Sequence, residues 1–184
     1  MATDEQVRAV EYHARRGVEG SRAINVFLLY AFTLWLIGSI VGYLYDFRSV
    51  GVSVFDLGTD PLIPLFLLTL LTFLACIMFF GRAAAAVFLY LGLVSGNAMD
   101  YNVALGALSF IPFALAGNAG TKAGYALFDD FHGKGNFFQQ YQKFLAPLGV
   151  ALGFGIVLSI ALGSLNEWNT FLVKSLHEFR NSLK

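Results

Sequence analysis

Polar and apolar positions in this chain are segregated into blocks and do not alternate within them. Five apolar runs stand out: INVFLLYAFTLWLIGSIVGYLY from Ile24, LIPLFLLTLLTFLACIMFF from Leu62, AAAAVFLYLGLVSGNAM after Arg82, VALGALSFIPFALAGNAGTKAGYAL from Val103, and LAPLGVALGFGIVLSIALGSL from Leu145 to Leu165. A bilayer core of about 30 Å is crossed by roughly 20 predominantly apolar residues in a helix. Each run therefore predicts a spanning or nearly spanning helix. Spanning strands would need segments of about ten residues with strict in–out alternation, whereas these runs are apolar on all sides. Helices also satisfy every backbone group within the segment, as an isolated strand in lipid cannot. The expected fold class is all-α, an integral membrane bundle of about five transmembrane helices.

Charged residues punctuate the runs. Asp46 ends the first, and Asp129 and Asp130 follow the fourth. Glu167 follows the fifth. Only Gly81 and Arg82 separate the second run from the third, which predicts a close antiparallel hairpin. Pro112 near the middle of the fourth run makes a broken or re-entrant segment available, because irregular backbone is tolerated at membrane depth where protein or a cavity surrounds it.

Three regions follow: a cytoplasmic N-terminal segment (1–23), the transmembrane domain (24–166) and a C-terminal amphipathic helix (167–184). The first carries interleaved charges at helical spacing, as in a helix lying at the membrane surface, and lacks the layout of a signal peptide. In the last, Trp168, Phe171, Leu172, Leu176, Phe179 and Leu183 recur at spacings of three and four residues. This helix is expected to lie on the membrane surface or to continue the fifth helix outward, with Lys174, His177, Glu178 and Arg180 on its wet side. A partner-docking role is the alternative.

Composition supports the same picture. Hydrophobic residues make up 57% of the chain and charged residues 13%, against about 25% charged in ordinary soluble domains; mean hydropathy is +0.65. Twelve basic and twelve acidic residues balance, so the basic face that nucleic acid requires is not expected. Lysine and arginine bias places the N-terminus inside, with Arg8, Arg15, Arg16, Arg22, Arg82, Lys122, Lys134 and Lys143 cytoplasmic. The expected location is a cytoplasmic (plasma) membrane, crossed several times.

Glycines recur four residues apart in the spans: Gly38 and Gly42, Gly92 and Gly96, Gly120 and Gly124, Gly149 and Gly153. Such pairs let helix backbones approach closely where lipid supplies no hydrophobic drive. They are expected to pack one bundle, with self-association or a sliding transport interface as alternatives. Lys122 sits between glycines near the polar boundary, where its side chain can snorkel to the headgroups. The competing reading puts it in a polar crevice with Asn118 and Thr121, built where Pro112 breaks the helix. Asn97, Asp100 and Asn102 read most simply as a turn.

Catalytic and ligand-holding sets are sparse. His13, His132 and His177 lie in separate segments, Cys76 has no second cysteine, and no HExxH, Walker lysine loop, GxSxG or CxxC occurs. Asp129, Asp130 and His132 could catch a divalent cation but read better as a solvated loop. Neither enzymatic activity nor a cofactor or resident metal is expected; the expected partners are membrane lipids and other membrane proteins or further copies of the chain.

The arrangement resembles the stage II sporulation protein M family of bacterial and archaeal membrane proteins. Ala116, Gly117, Ala119, Gly120, Lys122 and Gly124 match its alanine- and glycine-rich fourth segment with a basic residue between glycines. Glu167 and Thr170 approximate the glutamate and threonine that close its last span. Of the family's proline–histidine pair and glutamate ahead of the glycine stretch, the segment GALSFIPFALAG keeps only Pro112. The resemblance implies a helical membrane protein that holds partner proteins at the membrane, or, as suspected for some relatives, one that transports.

Overall fold

The computed structural model describes residues 27–45, 57, 61–78, 82–130, 137–163 and 166–182, and every regular element among them is an α-helix. Helix α1 covers Phe27–Leu44. It is followed by α2 (Leu62–Met78), α3 (Arg82–Ala98), α4 (Val103–Leu108), α5 (Phe110–Asp130), α6 (Phe137–Gly163) and α7 (Asn166–Ser182). The expectations for residues 1–23, for His13 and His132 and for Gly81 lie outside the described residues.

Three stretches are long and apolar enough to cross a membrane: Phe27–Leu44, Val103–Gly124 and Leu145–Leu162. Helix α2, with 17 residues, reaches only about 25 Å at 1.5 Å per residue, and the apolar part of α3 is shorter, Ala86–Ala98.

Pro112 does not break the fourth run at its middle. Its ring opposes the carbonyl four residues earlier and it has no N–H to donate. That carbonyl belongs to Leu108, the residue at which α4 ends. Ser109 keeps a right-handed helical backbone (φ −59°, ψ −21°) and its N–H still reaches the Leu105 carbonyl at 2.9 Å. The proline thus lies buried in the first turn of α5, and α4 and α5 run on as one span-length stretch.

Two groups of helices make the bundle. In the first, α1 lies along α3 with glycine against glycine. A methyl group at Gly92 would sit 2.9 Å from Gly38 Cα and would overlap the Trp35 carbonyl oxygen; one at Gly96 would sit 2.8 Å from Tyr43 N. Gly38 meets Gly92 and, one turn on, Gly42 meets Leu93 and Gly96 meets Tyr43, so the two helices run in the same direction. In the second group, α2 packs most heavily on α5, and both pack on α6. A methyl at Gly120 would overlap the Phe73 carbonyl oxygen, and one at Gly155 would touch Leu65 and Pro112, which makes α2 and α5 parallel as well.

Aromatic rings join the groups: Phe110, at the start of α5, lies 5.2 Å from both Phe32 and Trp35 of α1 and 6.5 Å from Phe88 of α3. Within the first group, Phe27 meets Phe88 edge-on at 5.8 Å. The expected close hairpin of α2 and α3 is correspondingly loose, with an apolar groove between them lined by Leu71, Thr72, Ala75, Val87 and Tyr90. Helix α3 turns Gly92 and Gly96 to α1, and α2 meets Gly120 of α5 through the Phe73 carbonyl and Cys76. Hydroxyls inside the apolar helices are satisfied locally: Thr69, Thr72 and Ser159 donate to the carbonyls of Leu65, Leu68 and Gly155.

Candidate functional site

Polar side chains gather at one end of the bundle, where α1, α3 and α6 finish and α4 begins. Asn102 caps α4, its side-chain oxygen accepting from the Leu105 N–H at 2.9 Å while its Nδ2 donates to the Leu162 carbonyl of α6 at 3.3 Å. An N-cap asparagine satisfies a helix-start N–H; here it also ties two helices. Asn169 of α7 adds a second tie, accepting from the Val103 N–H at 3.1 Å and donating to the Tyr101 carbonyl.

Asp100 closes the cluster. Arg180 donates through Nη1 to Asp100 Oδ1 at 3.0 Å and to the Tyr43 carbonyl at 3.3 Å. Its guanidinium carbon also stands 5.1 Å from the centre of the Tyr43 ring, within the range of a cation–π contact. His177 Nε2 lies 3.8 Å from the same carboxylate oxygen. The Asp100 and Arg180 side chains are each 19% exposed, so each charge is largely withdrawn from water and depends on the other.

These contacts fix the course of α7. A straight extension of α6 would carry Arg180 about 27 Å past Leu162 at 1.5 Å per residue. Instead Arg180 touches Tyr43 and Asp100, so α7 folds back across the bundle end. The expectation that Arg180 lies on the wet side of this helix is corrected: the face formed by Asn169, Val173, Leu176 and Arg180 turns inward, Lys174 and Glu178 remain exposed, and His177 stands at the boundary with its side chain 39% exposed. Asp100 is not only a turn residue but the counter-charge of the C-terminal helix.

Deeper in the bundle, a hydrogen-bonded chain links α1, α3 and α4. Trp35 Nε1 donates to Ser95 Oγ at 3.0 Å, Ser95 and Ser109 share a bond of 2.8 Å, and Ser109 donates to the Gly106 carbonyl at 2.7 Å. Nearby, Ser39 Oγ, Tyr43 OH, Asn97 Nδ2 and Arg180 Nε are buried and find no partner among the described residues.

The residues singled out by sequence are placed differently. Lys122 is exposed on α5. Thr121 turns its hydroxyl back to the Gly117 carbonyl at 2.9 Å, Asn118 is half-buried and Pro112 is buried two turns earlier. Gly38, Gly42, Gly92, Gly96 and Gly120 meet neighbouring backbone, and Gly124 is buried. Gly149 and Gly153 depart from the expected packing within the bundle: a methyl at either would meet nothing within 4 Å. Glu167 belongs to the first turn of α7.

Sequence reading missed the Trp35–Ser95–Ser109 chain and the anchoring role of Asn169. A signal existed in each case: a serine in a largely apolar run, and an asparagine on the apolar side of an amphipathic pattern. Among the described residues no set of three or more His, Cys, Asp or Glu comes together. The arrangement works as a tie between helix ends. Compared with known proteins, the chain matches no family model, no curated protein and no solved structure.

Proposed function

We propose that this chain is a non-enzymatic integral membrane scaffold or accessory subunit that organises partner proteins in a prokaryotic cytoplasmic membrane. In this reading five helices cross the bilayer and the N-terminus is cytoplasmic. Its main support is α6. This helix has only 28% of its spanning window buried and presents Gly149 and Gly153 to empty space. In lipid, such positions are where a second helix can bring its backbone close, as Gly38 and Gly92 do inside the same bundle. The resemblance to the stage II sporulation protein M family points toward partner-holding as well. A transport role centred on Lys122 has less support, since the side chain is exposed and Thr121 beside it spends its hydroxyl locally.

Extraction in lipid-preserving nanodiscs followed by mass measurement and protein identification tests the proposal. The expected result is a stoichiometric foreign partner, lost in Gly149→Leu and Gly153→Leu chains that still fold. A chain that is always recovered alone or as a pure self-oligomer, and that supports solute flux in vesicles, overturns it.

A further inference from the structure

We infer that α7 is an interfacial strap whose exposed apolar side lies in the acyl boundary of the membrane, and that a lipid acyl chain fills the groove between α7 and α1. The inference rests on the membrane reading above but not on the scaffold role.

Three sides of α7 can be distinguished at 3.6 residues per turn. Asn169, Val173, Leu176 and Arg180 face the bundle. Lys174, Glu178 and Asn181 are exposed and polar. Phe171, Leu172 and Phe179 lie on the remaining side together with the small polar Ser175 and Ser182, Phe171 bordering the charged side at Glu178, and the three apolar residues are 68%, 38% and 59% exposed. The helix is pinned at both ends, by Asn169 to Tyr101 and Val103 and by Arg180 to Asp100 and Tyr43. It therefore lies across the end of the spanning helices, at the depth where apolar core gives way to headgroups. A helix with one apolar and one charged side is stable at that depth because each side meets its own solvent.

The apolar side of α7 is continuous with that of α1. Between the two helices runs a groove of about 270 Å³, lined by Leu36, Ile40, Leu44, Met99, Leu176 and Phe179 together with Ser39 and Tyr43. Leu36, Ile40 and Leu44 are also exposed on the outer face of α1, within a span-length helix. The groove is thus an indentation in a lipid-facing surface, and the occupant that matches both its lining and its surroundings is a hydrocarbon chain.

The test places single cysteines at Phe171, Phe179, Ile40, Val157 and Asn181 of the full chain, each labelled with an environment-sensitive fluorophore. Cys76 is buried, and the unmodified chain gives its background. The labelled proteins are reconstituted in phosphatidylcholine–phosphatidylglycerol vesicles with and without phospholipid carrying a nitroxide on its acyl chain. Labels at 171, 179, 40 and 157 are expected to lose most of their emission to the lipid nitroxide, while the label at 181 keeps it and yields to aqueous iodide. Quenching by lipid at 157 together with iodide quenching at 171 and 179 would overturn the strap and leave the membrane reading intact. Protection of 171 and 179 from both quenchers would show a second copy on that side and would also overturn it. Loss of lipid quenching at 157 would remove the membrane reading itself, and the strap with it.

Discussion

Arg180 reaches Asp100 across 80 residues of sequence, donating to its carboxylate at 3.0 Å with both side chains largely buried. The pair joins the last turn of the C-terminal helix to the turn after α3. It also decides which side of α7 is left for the surroundings. Removing one member strands the other in a partly dehydrated site, which is where an ion pair costs most to break. Asp100→Asn is expected to destabilise the docked α7 by about 1–3 kcal/mol. Hydrogen exchange should report it as faster exchange in α7 with little change in α2 and α5. In a double-mutant cycle, Arg180→Gln should cost much less when added to Asp100→Asn than when made in the native chain; equal costs in both backgrounds would mean that the two side chains are not coupled.

The glycines divide into those that carry a helix contact and those that do not. Gly92→Ala sets a methyl against the Trp35 carbonyl and Gly38 Cα. Both are backbone and cannot rotate away, so the helices must separate at a cost of about 1–3 kcal/mol. Gly153→Ala meets open space and should be neutral or stabilising by up to about 1 kcal/mol through helix propensity. Thermal unfolding of the two variants in one detergent should separate them clearly; equal shifts would contradict the observed α1–α3 contact.

Ser95 stands between Trp35 and Ser109. Replacing it with alanine leaves the indole N–H without its acceptor in an apolar surrounding. Hydrogen bonds between helices in membranes contribute about 0.6 kcal/mol on average and up to about 1.7 kcal/mol, so Ser95→Ala is expected to cost about 1–2 kcal/mol. Ser109→Ala added to it should cost less than in the native chain. Chemical unfolding of the single and double variants measures both effects, and strict additivity would show that the hydroxyls act independently.

Lys122 is exposed, and its neighbours do not depend on it. Lys122→Met is expected to change stability by no more than about 0.5 kcal/mol, as for surface substitutions away from a specific interaction. It should also leave recovery of any bound partner unchanged. A large loss of stability in thermal unfolding would show that the ammonium has a buried counterpart.

The block pattern of hydropathy was enough to indicate helices of span length, and charges lie close to the ends of α1, α3 and α5. Helix α6 instead begins at Phe137, eight residues before the apolar run at Leu145 and with Lys143 inside the helix, because a helix can continue past the apolar stretch into polar surroundings. Helix formation and membrane insertion depend on sums along a local stretch of chain, which a sequence displays directly. The glycine pairs also announced that helices would touch. Which helices touch could not be read. Leucine faces lipid or protein at nearly equal cost, so an apolar run does not say which of its sides is covered. Gly38 meets Gly92 and Gly120 meets Phe73, while Gly149 and Gly153 stand open, although all are spaced alike. In the same way Arg180 looked solvent-facing because its burial depends on a carboxylate from another helix end. Local chemistry selected the elements; the close approach of backbones and the pairing of distant charges, both three-dimensional, selected their neighbours.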